Sequence, residues 1–463
     1  MADFRALSFW FDSLSSAGSG EAGTDELRPR PALPGDLGVD VAIVGGGLTG
    51  LWTAYYLASA EPSLTIAVLE KHIAGFGASG RNGGWCSALF PASTASLARR
   101  HGRAAALAMR KAMIDTVDEV GRVTSAEGID CDFVKGGTVS LARGAAQLVA
   151  ARNEVAEAAM WGVDDLQLRD AAHSPRGATG ALGSTFDPAC ARLQPAKLVR
   201  GLAKVVEGLG VRIYEGTEVL SWRSGRVTTD HGTVDAATIV IALEGYAASL
   251  AQTHRQVLPL YSLMIATEPL SDELWDEIGI EHGQTFADFR HLLVYGQRTA
   301  DNRFAFGGRG ARYHWGSSIR SEYDRVPGVF DHLERTLGDI FPVARQAAIT
   351  HRWGGPLGVP RDWHAGAGLD PATGIAMAGG YVGDGLSTTN LAGRTLTDLI
   401  LNCDTPISRL PWVNHHSPRW EPEPFRFIGA NLGTTAMNIA DAEERMTGRA
   451  SLAARLMAPL TGH

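Results

Sequence analysis

The stretch "DVAIVGGGLTG", residues 40–50, joins a short apolar run to a cluster of glycines. Residues 41–44 are apolar and mostly β-branched, which predicts a buried parallel strand. The glycines fit the spacing G-x-G-x-x-G, in which the first allows a tight turn, the second lets the backbone approach a pyrophosphate, and the third lets the next helix pack closely. They are Gly45, Gly47 and Gly50. A helix over residues 48–58 would offer free N–H groups to an anion.

An acidic residue follows at the position that a dinucleotide fold requires. A second strand is predicted over residues 64–69 and ends at Glu70, 20 residues past Gly50. A carboxylate there would bond a ribose 2′-hydroxyl and would repel a 2′-phosphate, so NADP is disfavoured and NAD and FAD remain. The alternative is a glycine turn that binds no nucleotide. It is disfavoured because strand, glycines, helix, second strand and terminal acid occur in the expected order.

Composition limits the class of protein. The 463 residues allow two or three domains at about 150 residues each. A net charge of −8 gives no basic surface for nucleic acid. The four cysteines are scattered without a C-x-x-C pair, which predicts reduced thiols in a cytoplasmic protein, with neither a disulfide framework nor a metal site. No apolar run approaches the roughly 18 residues of a membrane span, so a soluble protein is expected.

Segments that predict alternating strands and helices are interrupted by segments that predict antiparallel strands with turns. This order predicts two interleaved domains. The expected fold class is α/β (α+β): a Rossmann-like dinucleotide domain into which an antiparallel, β-rich substrate domain is threaded. An extended arm rich in Ser, Gly and Pro precedes both, and its aromatic residues at 9–11 are a hypothetical anchor to the body. The predicted boundaries are 1–37 for the arm, 38–130, 186–255 and 351–405 for the dinucleotide domain, 131–185 and 256–350 for the substrate domain, and 406–463 for a C-terminal extension.

Four local predictions can be compared directly with the structure. One long helical pattern runs over residues 96–127, and residues 133–142 and 232–243 each predict a pair of strands. Residues 434–460 predict one or two amphipathic helices whose apolar face packs on the core or on a second copy in a homodimer.

A second glycine loop near the C-terminus narrows the nucleotide to FAD. The stretch "GGYVGDG", residues 379–385, follows a predicted strand and precedes a helix that begins near residue 386. That helix would aim its positive dipole end at one spot, which suits the edge of a flavin ring where negative charge gathers on reduction. A nicotinamide dehydrogenase rarely closes its dinucleotide fold in this way.

With these motifs in place, the sequence resembles the D-amino-acid oxidase superfamily of flavin amine oxidoreductases, within it the group of glycine, sarcosine and γ-glutamylputrescine oxidising enzymes. The resemblance rests on "DVAIVGGGLTGL", "GASGRNGGW", "MIATEPL", "FGGRG", "WGGPLGV" and "GYVGDGLSTTNLAGR" and covers about residues 38–405. It implies FAD-dependent oxidation of a C–N bond in a small amine or amino acid. Hydride passes to the flavin, an imine is hydrolysed, and oxygen or another acceptor reoxidises the flavin.

The resemblance also implies positions for the cofactor, each taken residue by residue. The glycines and the helix start would face the pyrophosphate, the acid and its neighbour the adenosine, "GASGRNGGW" the flavin ring, and the second glycine loop the flavin O2 edge. No cysteine lies in residues 352–364, and Cys86 is interpreted as a buried hydrophobe, so FAD is expected to be non-covalent. The implied cofactor residues are Gly45, Gly47, Leu48, Thr49, Gly50, Glu70, Lys71, Ser79, Arg81, Asn82, Gly83, Gly84, Val219, Gly383, Gly385, Leu386 and Ser387.

Four residues are candidates for substrate contact or catalysis. Tyr261 and Trp353 would form an aromatic box around an amine, although core packing is an equal alternative for each. Arg309 could bind a substrate carboxylate in a bidentate manner, against the alternative of a structural arginine. Asp384 stands where the resembled enzymes commonly show "GHG" or "GFG", and it either points away from the flavin or serves the substrate. Weaker candidates are Tyr295, Trp85 and Tyr381.

Two other functions stay open at this point. The same fold could oxidise a 2-hydroxy acid or a similar alcohol, such as a polyol phosphate. The sequence has few lysines, which disfavours an alcohol that carries a phosphate. A flavoprotein without catalysis is disfavoured because the flavin-ring loop is intact. The expected partners are therefore a small amine or amino acid and an electron acceptor, without nucleic acid or membrane.

Overall fold

The computed structural model describes residues 3–14, 27–449 and 451. Within them it contains ten α-helices. Their bounds are α1 (Phe9–Leu14), α2 (Leu48–Ala60), α3 (Thr94–His101), α4 (Arg103–Ala126), α5 (Ala145–Trp161), α6 (Pro195–Gly208), α7 (Asp272–Ile278), α8 (Pro327–Ile340), α9 (Gly385–Ile400) and α10 (Phe425–Thr447).

The strands of the described chain form two large sheets and one small one. Their bounds are β1 (Leu37–Val44), β2 (Ile66–Leu69), β3 (Trp85–Ser87), β4 (Thr138–Ala142), β5 (Gln167–Asp170), β6 (Gly183–Asp187), β7 (Cys190–Arg192), β8 (Arg212–Tyr214), β9 (Val219–Arg223), β10 (Arg226–Thr229), β11 (Thr233–Ile241), β12 (Val257–Thr267), β13 (Thr285–Asp288), β14 (Val294–Arg298), β15 (Phe304–Gly308), β16 (Ile349–Pro360), β17 (Gly366–Asp370) and β18 (Ile375–Gly379).

The first sheet has the order β17-β18-β11-β1-β2-β8, with the β9–β10 hairpin attached to β11. Strands β8, β2, β1, β11 and β18 are parallel, and β17 is an antiparallel edge. The end of β1, residues 41–44, is buried throughout, as expected of a strand covered on both faces. Helices α2, α4, α6 and α9 pack together on one face. The carboxyl ends of the parallel strands therefore meet at one edge, where ligands bind in such folds.

The second sheet has the order β16-β12-β15-β14-β13-β4-β6-β5 and packs its apolar face on α8. Its strands pair antiparallel except β13 with β4, which are parallel. The small sheet pairs β3 with β7. The predicted combination of a Rossmann-like sheet with an antiparallel β-rich partner is confirmed.

Several local predictions are wrong. Residues 351–360, assigned to the dinucleotide domain, belong to β16, which pairs with β12 over its whole length in the second sheet. The helix over 96–127 is broken into α3 and α4 at Gly102, whose φ of +85° ends the first helix. The region 133–142 has only one strand, β4, because Val134 forms an isolated bridge to Arg192. The region 232–243 likewise has one strand, β11.

The first described part of the N-terminal arm is not extended, whereas residues 28–36 contain no helix or strand. Residues Phe4–Leu7 form a 3₁₀ turn and α1 follows. Phe9, Trp10 and Phe11 are buried in one apolar cluster with Trp353, which confirms the anchoring hypothesis. The arm therefore packs on the body through aromatic side chains.

The described part of the C-terminal extension contains α10. One side of this helix packs on the body through the buried residues Arg426 and Ala440. Part of the range predicted to be helical, 452–460, lies outside the described residues. Among the described helices, none has the length and apolar character needed to cross a lipid bilayer.

Candidate functional site

A cavity of about 780 Å³ opens at the carboxyl ends of the parallel strands. Its walls come from the glycine turn after β1, the loop between β2 and β3, the start of α9, the facing strands β12, β14 and β16, and Arg309 directly after β15. The cavity therefore runs from the dinucleotide fold to the second sheet, long enough for a ligand that touches both.

At one end, the glycine turn is built for close approach of a phosphate. A Cβ at Gly50 would lie 2.1 Å from the carbonyl oxygen of Gly45, so only glycine lets α2 start this close to β1. Ser79 Oγ accepts a hydrogen bond from the Leu48 N–H at 2.8 Å. The N-cap residue of α2 is Gly47, which has no side chain to cap the helix, and both Gly47 and Leu48 line the cavity, so the positive end of α2 faces it.

Next to this turn lies the predicted adenosine end. The Glu70 carboxylate accepts hydrogen bonds from the N–H of Gly46 at 2.9 Å and of His72 at 2.8 Å. Burial nevertheless raises the pKa of Glu70 to about 7. Lys71 and Val219 also lie on the wall here, and Lys71 forms an ion pair with Glu218 at 2.6 Å. The backbone on both sides of Glu70 thus fixes the carboxylate that is predicted to bond the ribose.

The middle of the cavity is bounded by residues 78–84, which we name the ring loop. Its Arg81 is buried and donates to Asp324 at 2.8 Å, to the carbonyl of Gly354 at 2.9 Å and to the Tyr246 hydroxyl at 2.7 Å. Although burial opposes the charge, Tyr246 and Asp324 raise the pKa of Arg81. Arg81 therefore ties the ring loop to strand β16 through a carbonyl contact and, through the charged pair, to the 3₁₀ turn that ends at Asp324.

The start of α9 closes the same region from the other side. It has no side-chain cap, so its first N–H groups face the cavity. The preceding loop is held by Glu244, which accepts from the N–H of Gly380 at 3.2 Å and of Tyr381 at 3.3 Å. Glu244 has a φ of +47°, and burial raises its pKa to about 7. Two helix N-termini, those of α2 and α9, thus converge on one cavity.

The far end of the cavity carries opposite charges. Arg309, at the end of β15, donates to the carbonyl oxygen of Val382 at 2.5 Å. Asp384 lies on the wall close enough for this guanidinium to act on it, yet burial prevails and raises the pKa of Asp384 to about 6. Beside them, the hydroxyls of Tyr295 and Ser262 lie 2.8 Å apart. This end can bind a small molecule that carries both charges.

Most of the predicted residues are brought together on the cavity wall. Three cofactor residues stand just behind it: Gly50 against Gly45, Gly84 against Gln297, and Ser387, whose hydroxyl donates to the Ser87 carbonyl. The residues on the wall are Gly45, Gly47, Leu48, Thr49, Glu70, Lys71, Ser79, Arg81, Asn82, Gly83, Val219, Arg309, Gly383, Asp384, Gly385 and Leu386.

The predicted aromatic box is wrong. Tyr261 points into the apolar core between the second sheet and α8, and Trp353 packs on the N-terminal aromatic residues. The aromatic residues on the wall include the weaker candidates Tyr295, Trp85 and Tyr381, together with Tyr246. Sequence reasoning missed Tyr246, Glu244 and Asp324. A signal existed for Glu244 alone, since an acid directly after the buried end of a parallel strand points to the ligand edge.

The residues present fit FAD. A glycine turn with a helix start, a fixed acid, a loop rich in glycine and a second helix start lie in sequence along one cavity. A Cβ at Gly83 would lie 2.4 Å from the Tyr295 ring, so the loop has no room for a side chain at this position. Cys86, Cys131 and Cys190 are buried in the core and Cys403 is exposed, and none of the four lines the cavity, which supports non-covalent binding.

Comparison with known proteins agrees with this geometry. The family model described as FAD dependent oxidoreductase matches residues 40–399. The chain is 30% identical to the probable oxidoreductase OrdL of Haemophilus influenzae over 80% of this chain and 84% of the relative. It is 29% identical to the gamma-glutamylputrescine oxidoreductase of Escherichia coli over 82% and 87%. The glycine oxidase structure from Geobacillus kaustophilus superposes with a TM-score of 0.68 at 22% identity, over 82% of this chain and 99% of that one. The chain belongs to the FAD-dependent oxidoreductase family, and FAD is the nucleotide for which its cavity is built.

Proposed function

We propose that the protein oxidises the C–N bond of a small amine or amino acid that carries a carboxylate. The single observation that carries this proposal is Arg309, a guanidinium on the cavity wall beside a titratable acid, Asp384. The names of two relatives, a gamma-glutamylputrescine oxidoreductase and a glycine oxidase, support a substrate with both a nitrogen and a carboxylate.

Arg309 would bind the carboxylate. Its side chain makes one hydrogen bond within the described residues, to the Val382 carbonyl, and the rest of the planar fork stays available. Burial lowers the pKa of Arg309, but an arginine remains charged at neutral pH. A bidentate pair with a carboxylate would fix both the position and the orientation of the substrate.

Asp384 would bind the substrate ammonium group and accept its proton. With a pKa raised to about 6 by burial, it is mostly ionised at neutral pH and can accept a proton from a substrate ammonium. The amine must be neutral before the C–H bond beside it is oxidised. The opposite charges of Arg309 and Asp384 would hold a zwitterion in one orientation across the end of the cavity.

The remaining chemistry divides between cofactor and chain. When bound, FAD accepts the hydride from the carbon next to the nitrogen. Tyr295 and Ser262, joined by a hydrogen bond, would close the wall beside the reacting carbon and limit water. The imine product then reacts with water to give a carbonyl compound and an amine. Oxygen or another carrier then takes the electrons from the reduced flavin.

The proposal also includes a homodimer. Light scattering would measure this oligomeric state.

Anaerobic reduction tests the reaction. The purified yellow protein is mixed without air with γ-glutamylputrescine, putrescine, sarcosine, glycine, proline and a set of 2-hydroxy acids. Bleaching of the flavin band near roughly 450 nm by an amine supports the proposal. Bleaching by hydroxy acids alone would instead favour alcohol oxidation on the same fold. Admission of air then shows whether oxygen restores the colour.

Arg309→Met tests the carboxylate site. Removal of a charge-assisted pair should raise KM for γ-glutamylputrescine about tenfold to a hundredfold. The KM for putrescine, which has the same amine end without the carboxylate, should stay the same. Arg312→Met removes an exposed arginine three residues away and serves as the control. Equal losses for both substrates would contradict the assignment of Arg309.

A further inference from the structure

Four consecutive carbonyl groups of the ring loop each accept a hydrogen bond from a side chain outside it. Two of the donors are indole N–H groups, and one of these comes from the N-terminal helix α1. The pairs are Ser8 Oγ to the Gly80 oxygen at 2.9 Å, Trp353 Nε1 to the Arg81 oxygen at 2.9 Å, Trp10 Nε1 to the Asn82 oxygen at 2.8 Å, and Gln297 Nε2 to the Gly83 oxygen at 2.7 Å.

These contacts fix the direction of the peptide N–H groups. In a planar trans peptide, the carbonyl of one residue and the N–H of the next point in opposite directions. The N–H of Arg81 is taken by the Ala78 carbonyl at 3.2 Å and that of Gly84 by Asn82 Oδ1 at 2.8 Å. The N–H groups of Asn82 and Gly83 have no hydrogen-bond partner within the described residues, and both residues line the cavity.

The two indoles lie behind the ring loop, on the side away from the cavity. Trp10 is 1% exposed and Trp353 is 2% exposed, and neither is on the cavity wall. Their rings pack edge to face with centroids 6.2 Å apart. Phe11 supports the same side, since a Cβ at Gly80 would lie 2.4 Å from its ring. With the carbonyls directed toward the indoles, the free N–H groups of Asn82 and Gly83 are directed toward the cavity.

We propose that Trp10 and Trp353 are positioning residues that aim the N–H groups of Asn82 and Gly83 at the flavin ring of bound FAD. The flavin ring presents nitrogen and oxygen acceptors and gains electron density on reduction. Fixed donors therefore stabilise the reduced form more than the oxidised form. Trp10 belongs to a segment that precedes the matched family range of 40–399, so this donor to the ring loop comes from outside that range. The inference rests on FAD binding and is independent of the substrate.

Trp10→Phe and Trp353→Phe test this inference, because each removes one N–H and keeps an aromatic ring. Each variant should bind oxidised FAD about three- to tenfold more weakly. Reduced FAD should lose about fivefold more affinity than oxidised FAD, which is measured as a fall in the midpoint potential. A merely structural role would weaken both forms equally and leave the potential unchanged, and that result would overturn the proposal.

Two controls separate this effect from general destabilisation. Trp412 is fully buried, and its indole N–H has no hydrogen-bond partner in the part of the chain that the structure describes. Trp412→Phe therefore makes the same truncation without removing a known hydrogen bond and should keep the potential. Ser8→Ala should also keep it, because the N–H on the far side of that peptide already bonds to Ala78. A fall in potential in either control would contradict the geometric argument.

Hydrogen exchange tests the wild-type protein if a tryptophan variant does not fold. FAD is removed, and peptides that cover the ring loop are compared by mass spectrometry with and without FAD. Binding should protect two further amides in this stretch, those of Asn82 and Gly83. Unchanged exchange across the ring loop would overturn the proposal, while the oxidation of amines would remain testable on its own.

Discussion

Asp384 is the residue at which burial and charge compete most directly. Burial raises its pKa to about 6, above the value near 4 of an unfolded aspartate. The folded state therefore holds the proton more tightly. The corresponding stabilisation is complete below pH about 4 and is lost as the pH rises through about 6.

Asp384→Asn removes this titration. The wild type loses stability as the pH rises and the variant does not, so the thermal midpoint of the variant relative to the wild type should rise by about 1 to 2 °C from pH 4.5 to pH 7.5. This value is discounted because Asp384 as a residue is only partly buried. Thermal unfolding of the FAD-loaded proteins measures it. Asp331→Asn, at an exposed position of α8, is the matched control and should show no such trend. If the difference in thermal midpoint between variant and wild type does not change with pH, then burial does not raise the pKa of Asp384.

Single residues were predictable from sequence where the chemistry is local. Gly45, Gly47 and Leu48 lie on the cavity wall because a glycine turn before a helix is specified by adjacent residues. Tyr261 could not be placed in this way. Neighbouring residues of a strand face opposite sides, so its neighbour Ser262 reaches the cavity while Tyr261 enters the core. Which side faces a ligand depends on pairing with distant strands.

At the scale of elements, the approach of α9 to α2 sets one wall of the cavity. Gly393 stands at their crossing, and a Cβ there would lie 2.7 Å from the backbone of Trp52. Gly393→Ala should therefore separate the helices and lower the free energy of unfolding by about 1–3 kcal/mol. FAD affinity should fall as well, because the first turn of α9 lines the cavity. Denaturant unfolding and FAD titration measure these effects.

Gly429→Ala is the matched control for this prediction. Gly429 also lies inside a helix, α10, but a Cβ there meets nothing within 4 Å. Alanine has the higher helix propensity, so the control should be neutral or gain up to about 1 kcal/mol. Equal destabilisation by both changes would contradict the packing argument at Gly393.

Elements were predictable where periodicity is local and missed where pairing is distant. Helices α2 and α9 follow from their glycine loops and apolar spacing. The sequence prediction places most of strand β16 in the dinucleotide domain, which is wrong. A glycine-containing strand has no local feature that identifies its sheet, and only the pairing with β12 shows that β16 belongs to the second sheet. The break at Gly102 was missed because an apolar period continues across it.

At the scale of the whole molecule, the contact between Arg81 and Asp324 joins the flavin side to the 3₁₀ turn Ser321–Asp324, which packs against β12 and β16 of the second sheet. Asp324 side-chain exposure is 20%, whereas Arg81 is almost fully enclosed. Asp324→Asn leaves a buried guanidinium without its counter-charge and should cost about 2–3 kcal/mol in the free energy of unfolding. Denaturant unfolding at a fixed excess of FAD measures it.

A double-mutant cycle shows whether Arg81 and Asp324 act as a unit across this contact. Arg81→Met and Asp324→Leu are made singly and together, and the double variant should lose about 1–3 kcal/mol less than the sum of the single losses. The surface pair Arg345–Asp339 has the same 2.8 Å separation but both side chains are 63% exposed, so its cycle should give a coupling below about 1 kcal/mol. Additive losses at Arg81 and Asp324 would mean that the charged pair does not hold the ring loop, which would then be held by the other hydrogen bonds of Arg81 and by its carbonyl contacts. The tryptophan variants should then have the larger effect on FAD binding, because those contacts would be the remaining link between the N-terminal helix, the second sheet and the flavin.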